Sequence, residues 1–213
     1  MTSPGSQEAT AGARSVWALS PLESVGPLQF GMSMDEATAA LPDASELQRF
    51  QADPFRPKVL GIQLGLRPAA PTVYMYFDDS GRLFCVATDA VRGPQIMLDG
   101  VKLVGGDPAR LEEWLFALPD AIGGVSYGPR GNPGMNDLGL VLRVQDSPTG
   151  LVTRPVLVGR DWADRCVDDW EGAIPECEWV GHVWPHPFLG PGVHVWPSAG
   201  QEPAWAGRWT APF

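Results

Sequence analysis

Three cysteines and three histidines in 213 residues leave little room for the chemistry those side chains most often carry. Cys85, Cys166 and Cys177 are an odd number, none stands in a Cys-x-x-Cys pair, and Cys85 falls inside a strand-like run as a small hydrophobe does. A disulfide framework is therefore not expected and a cytoplasmic setting is, although Cys166 and Cys177 remain available to pair in an oxidising compartment. Pro185 and Pro187 break any helix near His182, His186 and His194, which removes the His-x-x-x-His spacing that grips zinc, so no metal or other cofactor is expected. No Gly-rich loop ends in Lys, so no phosphate cradle is expected either.

Basic residues are also scarce. Fifteen Lys and Arg face 25 Asp and Glu, giving a net charge of -10 and a pI near 4.6. Nucleic acid and anionic membrane both need a basic face to displace counterions, so neither is expected as a ligand, and a basic protein partner is favoured. The same charge also serves plain solubility. No run approaches the roughly 20 apolar residues that a membrane span needs. Met1 to Arg14, rich in Ser, Gly, Ala and Thr, lacks the apolar core of a secretory signal, and residues 1–15 read as a disordered leader.

Catalytic patterns fail on their context. Gly124-Val125-Ser126-Tyr127-Gly128 matches Gly-x-Ser-x-Gly, but a nucleophile elbow needs a helix after the serine, and Pro129, Gly131, Pro133 and Gly134 forbid one. Asp78 with Asp79 belongs to a turn and Asp168 with Asp169 to a solvated loop, without an apolar pocket to raise a carboxyl pKa. No enzymatic activity is expected.

What the chain does contain is a repeated element. Leu41-Pro42-Asp43-Ala44 returns at Leu118-Pro119-Asp120-Ala121, each time at the end of a helical pattern. Ser33 and Glu36 form a Ser-x-x-Glu capping box, after which Met34, Ala37 and Leu41 share one face. Asp107 caps the second helix with Pro108 at its first position, and Leu111, Trp114, Leu115 and Leu118 give it the wider apolar stripe. Strand patterns follow each helix: Val59 to Leu66, Thr72 to Phe77 and Arg82 to Thr88, then Ile122 to Tyr127, Leu138 to Val144 and Leu151 to Val158, the last demoted to an edge or bulge by Pro155. Ile96 to Val104 reads as a hairpin turning at Asp99-Gly100. Tyr74 and Tyr76 alternate with Val73, Met75 and Phe77, as in a sheet with one face on a helix and the other partly open.

From Asp161 the composition changes. Acidic residues gather around Trp162, Trp170 and Trp179, and His182-Val183-Trp184-Pro185 is echoed by His194-Val195-Trp196-Pro197. Trp presents large area with little entropy to lose, and acidic neighbours steer a basic partner, so this stretch reads as a recognition surface. The other reading is that these tryptophans pack a Pro-interrupted hairpin over the second sheet. The candidate partner-binding residues are Tyr74, Tyr76, Asp168, Asp169, Trp170, Glu171, Trp179, Trp184 and Trp196.

The expected fold is α+β, with two tandem repeats (16–90 and 91–160) of a short helix followed by an antiparallel β-meander. Residues 161–213 form an acidic Trp/Pro/His-rich extension packed on the second repeat. Val25 to Pro42, with Gly-Pro-Leu-Gln-Phe-Gly-Met-Ser before a short amphipathic helix, resembles the opening of small bacterial immunity proteins of polymorphic or contact-dependent toxin systems. The helix-then-meander pattern is similar to the tandem repeat of the beta-lactamase inhibitory proteins. The second copy carries Gly105-Gly106-Asp107 in place of Gly-Met-Ser, and the secretory signal and disulfides of those secreted inhibitors are missing. The resemblance therefore implies a cytoplasmic inhibitor that occludes the active site or an exosite of a basic toxin domain. The alternative expectation is a structural or adaptor module of a secretion or phage-like assembly.

Overall fold

In the computed structural model, which describes residues 14–66, 72–119, 124–128, 131–168, 174–179 and 184–185, the chain opens with β1 (Val16–Ser20), buried at every second residue through Trp17 and Leu19. Short strands β2 (Ser24–Val25) and β3 (Leu28–Gln29) lead to α1 (Met34–Ala39). The capping box closes as the spacing predicts: the Glu36 N–H donates to Ser33 Oγ at 3.3 Å, and the Ser33 N–H to the Glu36 carboxylate at 2.8 Å. Next come β4 (Ser45–Gln51), β5 (Leu60–Gly65), β6 (Val73–Phe77) and β7 (Leu83–Thr88). Between the last two, the Asp78 carboxylate accepts the N–H groups of Ser80 and Arg82.

The second half begins with a hairpin. β8 (Gln95–Leu98) and β9 (Val101–Lys102) turn at Asp99 and Gly100, whose φ values of 48° and 82° are those of the expected tight hairpin. Asp107 caps α2 (Pro108–Phe116) by accepting the Ala109 N–H at 2.9 Å. There follow β10 (Ser126–Tyr127), β11 (Pro133–Met135), β12 (Leu140–Val141), the hairpin β13 (Val144–Ser147) with β14 (Gly150–Thr153), and β15 (Val156–Val158). A 3-10 helix, Arg160–Arg165, and the one-turn helix α3 (Glu176–Trp179) complete the described residues.

One sheet has the order β3-β2-β1-β8-β9, in which β1 and β8 run parallel. The larger has the order β10-β11-β12-β15-β7-β6-β5-β4 and is antiparallel at every pairing. Its two halves meet where Val156, Leu157 and Val158 lie opposite Ala87, Val86 and Cys85. Pro155 thus precedes an interior strand instead of marking an edge. Its missing N–H falls in the two-residue break between β14 and β15, where the ladder needs no donor. The run from Leu138 is not one strand, because Gly139 at φ 58° separates a 3-10 turn from β12. β4, a mostly polar outermost strand, has no counterpart in the sequence reading, and neither do β1, β2 and β3.

The larger sheet is buried on both faces. On one, Ile62, Leu64, Val73, Met75, Phe77, Val86 and Leu157 meet Ala37 of α1, Leu111 and Leu115 of α2, and Trp17 of β1. On the other, Tyr74, Tyr76, Cys85, Ala87, Val156 and Val158 meet Cys166, Ile174, Cys177 and Trp179. The expectation of a partly open face is overturned, because residues after Arg160 cover it. Trp184 packs into the first cluster and Trp179 into the second, so the chain changes faces between them. The extension therefore engages strands of both halves. Of the expected leader, residues 1–13 lie outside the described part, and Arg14 donates to the carbonyls of Asp89, Ala90 and Gly93. Among the described residues no helix is long and apolar enough to cross a membrane.

At Gly139 a Cβ would stand 2.3 Å from the Val158 carbonyl oxygen, whereas at Gly81, with φ 72°, it would meet nothing within 4 Å. Both substitutions to Ala carry the left-handed backbone penalty of ~1 kcal/mol, and only Gly139→Ala adds a clash with backbone. Urea unfolding should therefore show Gly139→Ala losing at least twice the stability that Gly81→Ala loses.

Candidate partner-binding surface

The sequence-selected residues divide sharply by position. Tyr74 and Tyr76 are 4% and 0% exposed, Trp179 and Trp184 are also buried, and Asp168 is exposed. Asp169, Trp170, Glu171 and Trp196 lie outside the described residues, as do His182, His186 and His194. The two tyrosines and two tryptophans thus pack the interior in this conformation and do not form a contact surface. The reason is the covering segment itself, which supplies both the tryptophans and the acid that meets Tyr76.

That acid is Glu178. It forms a buried ion pair with Arg154, whose Nη2 donates at 2.9 Å, and the Tyr76 hydroxyl donates to the same carboxylate. The Arg154 guanidinium also lies over the Tyr74 ring, 4.8 Å from its centroid. Burial by itself would raise the Glu178 carboxyl, but the charge of Arg154 and the hydrogen bonds from Arg154 and Tyr76 outweigh it and hold the pKa below its ordinary value. Burial pushes the thiols of Cys85 and Cys177 well up and that of Cys166 to about 12, so all three are neutral and unreactive near neutrality. A helix of one turn has no stability of its own. α3 is placed by this carboxylate and by its backbone: the Cys177 N–H donates to the Ala52 carbonyl at 3.2 Å.

Outside the clamp, the Arg160–Arg165 helix presents its charge to solvent. Trp162 roots it, its ring 4.8 Å from that of Phe84, with the guanidinium groups of Arg56 and Arg165 at 5.9 and 4.8 Å. Asn136 donates to the Asp164 carbonyl at 2.8 Å and accepts from the Cys166 thiol, which fixes the helix against the neighbouring 3-10 turn. Asp161, Asp164 and Asp168 are all exposed, and Asp137 on that neighbouring turn adds a fourth exposed carboxylate. Arg165 offsets Asp164 in part across 3.9 Å. Arg160, exposed and 3.5 Å from Glu23, and Arg165 balance Asp161 and Asp164 within the helix, so the net negative charge of this acidic ridge comes from the flanking Asp168 and Asp137. Ser126, on a strand opposite Gly134, is not at a strand-to-helix elbow. Among the described residues no group of three or more His, Cys, Asp or Glu is placed to hold a metal.

Of the ridge carboxylates only Asp168 was among the residues selected from sequence, and the clamp was missed. Arg154 stands among Val152, Thr153, Val156 and Leu157, and a lone charge in an apolar run is a signal of a buried pair. Its partner lies 24 residues on, among acids that all look alike in one dimension.

Breaking one side of a buried ion pair leaves an uncompensated charge and costs about 3–5 kcal/mol, while replacing both sides with apolar groups is often neutral. Arg154→Met and Glu178→Leu should each be severely destabilising, and their combination should recover most of the loss in urea denaturation. Because the folded-state carboxyl pKa is depressed, the contribution of Glu178 is complete above the ordinary carboxylate range and is lost as pH falls through the depressed value. The stability difference between the native protein and Glu178→Gln should accordingly be widest near pH 7 and shrink toward pH 2.

Comparison with protein-family models, with characterised protein sequences and with solved structures found no match to this chain.

Proposed function

We propose that this chain is a protein-binding inhibitor, an immunity protein that neutralises a cognate bacterial toxin in the cytoplasm by covering its active site or an exosite. The observation that carries this reading is the acidic ridge: Asp161 and Asp164 are exposed on a helix rooted by Trp162 and Asp168 is exposed beyond its end, within a chain of net charge -10. A fixed array of carboxylates meets a basic toxin domain without paying to order itself at the moment of contact. Residues 169–171, selected from sequence, continue the same run of acids and belong to the proposed interface.

We also propose that the two halves arose by duplication. Strand, return strand, helix and four-strand meander occur in that order in each, with β3 an additional strand before the first helix; β1 and β8 pair at the centre of the small sheet, and β7 and β15, the last strand of each meander, pair at the centre of the large one. The hairpin of β13 and β14 is an insertion in the second copy.

Co-expression with the toxin encoded beside it should restore growth, and failure to bind any product of the adjacent genes sinks the reading. Replacing Asp161, Asp164 and Asp168 together with Lys should slow association about tenfold or more at low salt, with the gap narrowing at high ionic strength. Thermal unfolding should change little, because solvent-exposed charges and ion pairs contribute about 1 kcal/mol or less each.

A further inference from the structure

The edges of the two larger sheets are unequal in length. Among the described residues those sheets have four outer strands, and β3, β9 and β10 hold two residues each. β4 holds seven, Ser45–Gln51, and carries neither the Lys nor the Pro that commonly guards an exposed edge. It is fixed from the sheet side, where the Phe50 ring lies 6.2 Å from that of Tyr76 and over Gly61, whose missing Cβ would stand 2.4 Å from the Phe50 ring.

The direction of the β4 backbone follows from bonds at either end of its ladder. The Ala52 N–H donates to the Val59 carbonyl at 3.0 Å, so alternation turns Phe50 and Gln48 toward β5, and Gln51 and Arg49 away from it. The Thr72 N–H donates to the Leu64 carbonyl at 2.8 Å, so Leu64 faces β6 and Glu46, opposite Leu64 on β4, also faces outward. Between them Leu47 is an extra residue, because the pairing steps from Glu46 with Leu64 to Gln48 with Gln63. This bulge sets the outward groups of Glu46 and Arg49 three positions apart instead of two. It also returns their side chains to one face, where Arg49 donates to the Glu46 carboxylate from Nε at 2.8 Å and from Nη2 at 2.9 Å. Glu46, Gln48, Arg49 and Gln51 are all exposed.

A regular partner strand falls out of register across the bulge. A second β4, antiparallel about a two-fold axis, does not: it presents the same interval in reverse and sets Glu46 of each copy opposite Arg49 of the other. We propose that β4 is a self-complementary edge through which two copies of this chain join their large sheets, by backbone hydrogen bonds between residues 46 and 49. Four charges then alternate in sign across the axis. Pairing of this extent buries less than a standard interface, so the dimer is reversible, with a Kd on the order of 10–100 µM. It does not depend on the reading of the chain as an inhibitor.

The test is sedimentation equilibrium of the full chain from about 5 to about 500 µM, a span that brackets that Kd, over which the mean mass should rise from that of one chain toward that of two. Arg49→Glu and Glu46→Arg each set like charges opposite one another and should raise Kd about tenfold or more, with melting little changed because the pair is exposed. In a chain of net charge -10, general repulsion predicts opposite effects, the first variant weaker and the second stronger, so loss in both is specific to the edge. An equimolar mixture of the two should recover association, since each copy supplies the charges that the other lacks. A native chain that stays monomeric over the whole range overturns the proposal. So does a dimer that survives in either variant, or a mixture that stays monomeric.

Discussion

A sheet that is apolar on both faces has to be covered on both, and the arrangement of this molecule follows from that requirement. β5, β6 and β7 are buried almost without interruption, so the helices and the small sheet can satisfy only one side. The second side is closed by chain that follows β15: first the Arg160–Arg165 helix, then α3. These covering elements are too short to persist alone. They exist because the sheet supplies the surface they lie on, and in lying there they bring the acidic side chains of the same segment to the outside.

Hydrophobic cover is not directional, and a four-residue helix on a flat sheet has many near-equivalent positions. The Arg154, Glu178 and Tyr76 contact removes that freedom. Its net contribution to stability is small beside the desolvation of two charges, but any shifted register leaves Arg154 buried without its carboxylate. The geometry of the outer surface therefore depends on a buried charge pair, while Trp162 ties the Arg160–Arg165 helix to Phe84 of the sheet and to Arg56 in the loop between β4 and β5.

Local chemistry was readable from the sequence wherever it is settled within a few residues. Both helix starts, the Asp78 turn and the Asp99-Gly100 hairpin obey rules that act over four positions or fewer, and they stand where those rules place them. Strand limits were readable for β5, β6 and β7, where apolar density is high, while β1, β2 and β3 were not read at all. The limits failed in the second half, where Gly139 and Pro155 each split a run whose composition looked continuous. β4 escaped notice because an outermost strand needs no apolar alternation to form. The alternation of Tyr74 and Tyr76 identified a face correctly but not its cover, since the covering residues lie about 100 positions away and bind through contacts that leave no periodic trace.

The passage of the chain from one side of the sheet at Trp179 to the other at Trp184 bears on how the protein is made. On a translating ribosome, the fifteen strands of the described residues are synthesised before either aromatic plug emerges, so for that interval both cores are incompletely sealed. Neither half can reach its finished state early and wait for the other. Final closure is a single late event for the whole molecule, and the nascent chain carries exposed sheet surface, with its tendency to self-associate, until residue 184 has cleared the exit tunnel.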